Sequence, residues 1–171
     1  MSAQPLPPPP EITVEEYLTT VYRPDCDYVD GHVEERNLGE KKHSKVQGWL
    51  IGILLQRVPA GVDVLPEMRV QITPTRFRIP DVCLAEQSDE QILTKPPLLC
   101  VEILSPEDRM SRVQVRIRDY FAMGVPCAWV LDPETQQAYT ATPAEGLREV
   151  KSGTLSLVNP ALEVSLAELF R

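Results

Sequence analysis

Two short apolar runs bracket one amphipathic segment between residues 98 and 132, and this limits the architecture more than any other part of the chain. "LLCVEIL" (98–104) is apolar on both parities, which reads as a strand buried on both faces. In "PEDRMSRVQVRIRDYFAMG" (106–124), Met110, Val113, Ile117 and Phe121 form the stripe of a helix that Gly124 ends. "PCAWVLD" (126–132) is a second buried strand, closed by Asp132-Pro133. Strand, helix and strand make a βαβ unit, which predicts a parallel pair joined by a right-handed crossover.

The flanking segments predict antiparallel partners. "TVEEYLTTVY" (13–22) is a short helix with Thr13 as N-cap and Glu16 completing a capping box. "CDYVDGHVEER" (26–36) is a hairpin turning at Asp30-Gly31. The segment 40–58 is a helix with Val46, Leu50, Ile53 and Leu54 on its inner face. Strands follow over 62–86, broken by Pro66 and by a turn at Pro74-Thr75. A meander over 134–164 and a last helical turn at 165–170 complete the chain. The predicted class is α/β with a mixed sheet in one domain, residues 13–171, behind a disordered Pro-rich tail at 1–12. Trp49 and Trp129 are expected in the core.

The four cysteines form no CxxC pair and read as buried thiols of a cytoplasmic protein rather than a disulfide frame or zinc site. No stretch is apolar for long enough to span a bilayer, and the first ten residues lack the pattern of a signal peptide. A net charge of −8 does not advertise a nucleic-acid binder.

Glu102 interrupts the 98–104 strand, and a buried unpaired carboxylate costs several kcal/mol. It must therefore be neutral, paired or on a metal. Asp81 interrupts another apolar strand directly after Pro80, a residue that cannot donate to a sheet ladder. Two such acids on neighbouring strands can meet, and a divalent cation such as Mg²⁺ or Mn²⁺ relieves their repulsion.

"RIPDV", "CVEILSP" and "RIRDYFAMGVPCAWVLDP", in that order, resemble the Uma2 (DUF820) group, a branch of the PD-(D/E)xK nuclease superfamily. "EEYL…DYVDGHVEER" and the histidine of "KKHSKV" are similar to its N-terminal half. The resemblance implies a restriction-endonuclease-like mixed sheet flanked by helices. It implies a Mg²⁺- or Mn²⁺-dependent endonuclease acting on DNA, and since duplex cleavage needs two sites, a homodimer is expected. By the same resemblance, Asp81, Glu102 and the carbonyl of Ile103 hold the metal. The superfamily lysine falls on Leu104, which cannot serve; a basic residue from the following helix is expected instead, and here it is Arg116. Asp27 stands where the group has a glutamate.

Each residue has a structural alternative. Glu102 fits an internal pair with Arg112 or Arg116, Asp81 a strand cap, and Asp27 a turn acid. Arg109, Arg112 and Arg116 recur on one helix side and make a candidate cationic wall. Lys41, Lys42 and Lys45 read as a solvated face or a phosphate-steering cluster, and His43 as a surface residue or a phosphate contact. Three functions therefore compete: a metal-dependent endonuclease, a non-catalytic nucleic-acid-binding or regulatory protein on a nuclease fold, and a structural protein whose acids pair internally.

Overall fold

The computed structural model describes residues 11–37 and 39–171. Most of the tail expected at 1–12 lies outside the described residues. Ile12 is held in place: its N–H donates to the Gly31 carbonyl and its own carbonyl accepts the Tyr28 hydroxyl.

The elements run α1 (Val14–Thr19), β1 (Cys26–Val29), β2 (His32–Glu35), α2 (Lys41–Leu55), β3 (Val62–Pro66), β4 (Val70–Thr73), β5 (Arg76–Arg78), β6 (Val82–Glu86) and β7 (Leu99–Ile103). They continue α3 (Met110–Met123), β8 (Ala128–Asp132), β9 (Gln137–Thr142), β10 (Gly146–Glu149), β11 (Thr154–Leu157), β12 (Leu162–Ser165) and α4 (Leu166–Leu169). The main sheet has the order β10-β9-β8-β7-β6-β3. Its β7–β8 pair is parallel and its other ladders are antiparallel, as the βαβ unit requires. A second sheet, β2-β1-β5-β4, lies beside it, and β11–β12 form a separate hairpin.

Side-chain alternation on β7 sorts the core. Leu99, Val101 and Ile103 join Val46, Leu50, Ile53 and Leu54 of α2, together with Trp129 and Leu131. Cys100 faces the other way, into a cluster with Cys83 and Tyr120 of α3. Val113 and Ile117 of α3 cover Ala128 and Val130 of β8. Each fully buried large aliphatic side chain contributes about 1.5–3 kcal/mol. In the second sheet, Tyr17 of α1 stacks on Tyr28, ring centroids 4.9 Å apart, with Phe77 alongside. All four cysteines are buried and free.

Local signals explain most element ends. Thr13 caps α1, its hydroxyl accepting the Glu16 N–H at 3.1 Å. Asp30 and Gly31 take φ values of 46° and 93°, the paired positive angles of a tight hairpin turn. Gly124 ends α3 at φ 107°.

Several expectations need correction. α1 stops at Thr19 rather than residue 22. α3 starts at Met110 rather than 106, because Ser105–Asp108 close a turn in which the Asp108 carboxylate accepts the Ser105 N–H at 2.7 Å. Trp49 is not core: it is 36% exposed, with the Arg171 guanidinium 3.9 Å from its ring centroid. It lies on the outer side of α2, so only Trp129 is buried. His43, expected at the surface, is buried.

Candidate active site

The site lies where the chain passes from the second sheet to the main one. β5 ends at Arg78, β6 begins at Val82, and Ile79-Pro80-Asp81 link them. The Val82–Val101 pair is the last rung of the β6–β7 ladder, and one step beyond it Asp81 stands opposite Glu102. Pro80 cannot continue the ladder, so the strand leaves its sheet there. In the second sheet, Asp27 stands opposite Arg78 one step beyond the Tyr28–Phe77 pair. Two registers thus bring three buried acids, Asp27, Asp81 and Glu102, to one place.

Asp81 has a full set of partners. One carboxylate oxygen accepts the backbone N–H of Ile103 at 2.7 Å. The other accepts from the Arg36 guanidinium and lies 3.4 Å from Nε2 of His43. Its main-chain carbonyl accepts the Gln47 amide at 2.9 Å. His43 and Gln47 are one helical turn apart on α2, so that helix presents both to the same residue. Burial drives the Asp81 pKa up, but the His43 bond and the Arg36 charge outweigh it and hold the carboxyl below its ordinary range. His43 in turn is raised above its ordinary value, because Asp81 outweighs burial.

Glu102 accepts from Nη1 of Arg116 at 2.7 Å and from the Tyr120 hydroxyl. Burial raises its pKa to about 7; Arg116 opposes that shift, and the nearby Asp81 charge adds to it. Burial, then the Glu102 charge, lifts Tyr120 well above its usual value, so it remains a donor. Asp27 accepts from Nε and Nη2 of Arg116 at 3.1 and 3.0 Å, from Arg78 at 3.0 Å, and from the Ile79 N–H at 2.9 Å. Arg78 is 2% exposed and also bonds Glu34 and Asp119.

Arg116 therefore reaches inward from α3 and joins Glu102 to Asp27. Arg112 lines the same cavity, of about 130 Å³, as Asp27, Arg36 and Arg116. Arg109 is exposed at the N-cap of α3 and is not among the residues lining it. Lys41, Lys42 and Lys45 are exposed along α2, with Lys42 bonded to Glu134 at 2.6 Å. Every lysine of the chain is exposed, so none occupies this site. Sequence reasoning missed Arg36, Arg78, Asp119 and Tyr120 as members. The tyrosine carried a signal: it lies one turn after Arg116, and a buried tyrosine hydroxyl needs a partner.

Among the described residues, no group of three or more His, Cys, Asp or Glu is spaced to hold a metal ion. The donor chemistry nonetheless suits a hard divalent cation. Asp81 and Glu102 offer carboxylate oxygens on facing strands, and guanidinium groups already supply positive charge to both.

The Glu102 shift has a consequence for stability. The folded state keeps a proton that the unfolded chain releases between pH 4.5 and about 7, so stability falls as pH rises through that window. Glu102→Gln is expected to flatten the slope and to stabilise the metal-free protein at about pH 8. Thermal melts of both proteins at about pH 5 and about pH 8 check this, and parallel slopes would count against it.

A model of the Uma2 family, described as a putative restriction endonuclease, matches residues 4–169. A search of curated proteins finds no match. Among solved structures, the chain is similar to a putative nuclease belonging to DUF820 from Anabaena variabilis ATCC 29413. The two superimpose with a TM-score of 0.80 at 20% identity, over 93% of this chain and 97% of that one. That likeness shows a shared fold of mixed sheets flanked by helices, and the family match over nearly the whole length shows the family: the chain belongs to the Uma2 family.

Proposed function

We propose that the protein is a divalent-metal-dependent endonuclease that hydrolyses DNA phosphodiester bonds. The observation that carries this reading is the meeting of Asp81 and Glu102 across the end of the β6–β7 ladder, with Arg116 reaching in from α3.

Asp81 and Glu102 would hold Mg²⁺ or Mn²⁺. The Ile103 main chain already meets Asp81 through its N–H, and by family resemblance its carbonyl would be a further ligand. The bound ion would supply a water of lowered pKa as the nucleophile. The chain's own groups do the remainder. Tyr120 donates to Glu102 and fixes its rotamer. The Ile103 N–H fixes Asp81 in the same way. Arg116 is a permanent cation, so it can stabilise charge developing on a phosphate but cannot serve as a base. Arg112 extends that positive edge toward solvent. Lys41, Lys45 and Arg109, with Lys42 once it leaves Glu134, would steer a phosphate backbone from the exposed flanks, and His43 braces Asp81 from behind. Cutting both strands of a duplex takes two such centres, so a homodimer belongs to this reading.

The test is a plasmid-nicking assay with Mg²⁺, Mn²⁺ or EDTA, alongside light scattering for mass. Nicking that needs the metal supports the reading. The absence of lysine from the site favours a second one, a nucleic-acid-binding protein that does not cut. Retention of a labelled duplex without nicking under any metal would replace the first reading by the second.

A further inference from the structure

We propose that Arg36 is a built-in competitor for the cation: its guanidinium holds Asp81 when no divalent ion is bound and leaves when one binds. This rests on the metal-dependent reading above and concerns how that site fills.

The three inner arginines are held in different ways. Arg78 bonds three acids, Asp27, Glu34 and Asp119. Arg116 bonds two, Asp27 and Glu102. Arg36 bonds one, Asp81, among the described residues. Releasing Arg36 therefore breaks one ion pair, whereas moving either of the others breaks several.

Its backbone also lies outside regular structure, unlike that of the other two. Arg78 sits in β5 and Arg116 in α3, but Arg36 follows the last residue of β2 and precedes α2. There is room on either side. Arg36 and Asn37 line both the cavity of about 130 Å³ and a second one of about 490 Å³, which His43, Gln47 and Asp81 also line. The side chain is thus part of the wall between two spaces. Its departure exposes Asp81 to both.

Asp81 does not depend on Arg36 for hydrogen bonds. After release it retains the Ile103 N–H on one oxygen and His43 beside the other. What it loses is a positive charge, and that is what a divalent ion brings. A guanidinium and a metal ion cannot share one carboxylate oxygen without strong like-charge repulsion.

The experiment measures binding of Mn²⁺ alone to the full chain by isothermal titration calorimetry, without DNA. Removing the competing charge with Arg36→Gln is expected to tighten Mn²⁺ binding about tenfold, and any gain above about threefold supports the proposal. Arg36→Met serves the same comparison if the glutamine variant does not fold. Adding Asp81→Asn to the variant should abolish the gain, which ties it to that carboxylate. If parent and variant bind Mn²⁺ with the same affinity, or the variant binds more weakly, Arg36 is not a competitor and the proposal falls while the metal site stands. If neither protein binds Mn²⁺, the proposal and the metal-dependent reading fall together.

Discussion

Replacing Arg78 by methionine is expected to cost about 3–5 kcal/mol of folding stability, the loss typical when one partner of a buried ion pair is removed. The side chain is buried between the second sheet and α3 and bonds Asp27 at 3.0 Å, Asp119 at 2.7 Å and Glu34 at 2.6 Å. Glu34 is partly exposed and can turn to water; Asp27 and Asp119 are buried and cannot. Methionine fills much of the volume but leaves both of those carboxylates without this cation. Arg76 still reaches Asp119 at 2.8 Å, and Arg116 still reaches Asp27, so the loss is large without being total. Against a usual total of about 5–15 kcal/mol, the variant is expected to be partly unfolded at room temperature or to melt far below the parent. Arg78→Lys keeps the charge but cannot fork across several acids, and it should fall between the two. Urea titrations followed by circular dichroism measure all three. A methionine variant within about 1 kcal/mol of the parent would show that Arg78 is not what holds the second sheet to α3.

Arg116→Ala is expected to lower metal-dependent cleavage by about a hundredfold or more, the scale of a lost charge-stabilising contact. The geometry sharpens this expectation. Arg116 bridges Glu102 and Asp27, so alanine removes a cation and also frees two acids to repel any approaching phosphate. Arg116→Lys should keep or raise activity, because an ammonium can follow the same path to Glu102 and has a pKa that its surroundings can tune. Rates should be compared at saturating Mn²⁺, with a melting curve for each variant, so that a folding defect is not read as a chemical one. Equal rates for the alanine variant and the parent would remove Arg116 from the reaction.

The fold was legible where periodicity was strong. The βαβ unit, the Asp30-Gly31 hairpin and the inner face of α2 follow from apolar spacing and turn residues alone. The misplaced ends have local causes. Asp108 draws residues 105–108 into a turn, so α3 starts late, and Trp49 sits on α2 where spacing cannot tell a half-covered face from a buried one. The acids stood out for a simple reason: Asp81 and Glu102 interrupt apolar strands, where a charge has few reasons to be. Their counter-ions lacked that contrast. Arg36 follows the polar stretch "HVEE", and Arg76 and Arg78 flank Phe77 in a strand that looks half-solvated, so nothing local marks them as inward-facing. Pairing between distant strands decides their direction, and a single sequence does not carry that information.

The four buried thiols make the molecule its own clock. Cys83, pushed by burial up to about 12, and Cys100 face each other across β6 and β7, so an alkylating reagent reaches them only when the main sheet opens. Cys26 belongs to the other sheet and directly precedes Asp27. Its labelling rate therefore times the opening of the strand that carries one wall of the site. If Cys26 is modified at the pace of Cys83 and Cys100, the two sheets come apart as one unit. If it reacts much sooner, the site breathes on its own, and each alkylation of Cys26 marks one such opening.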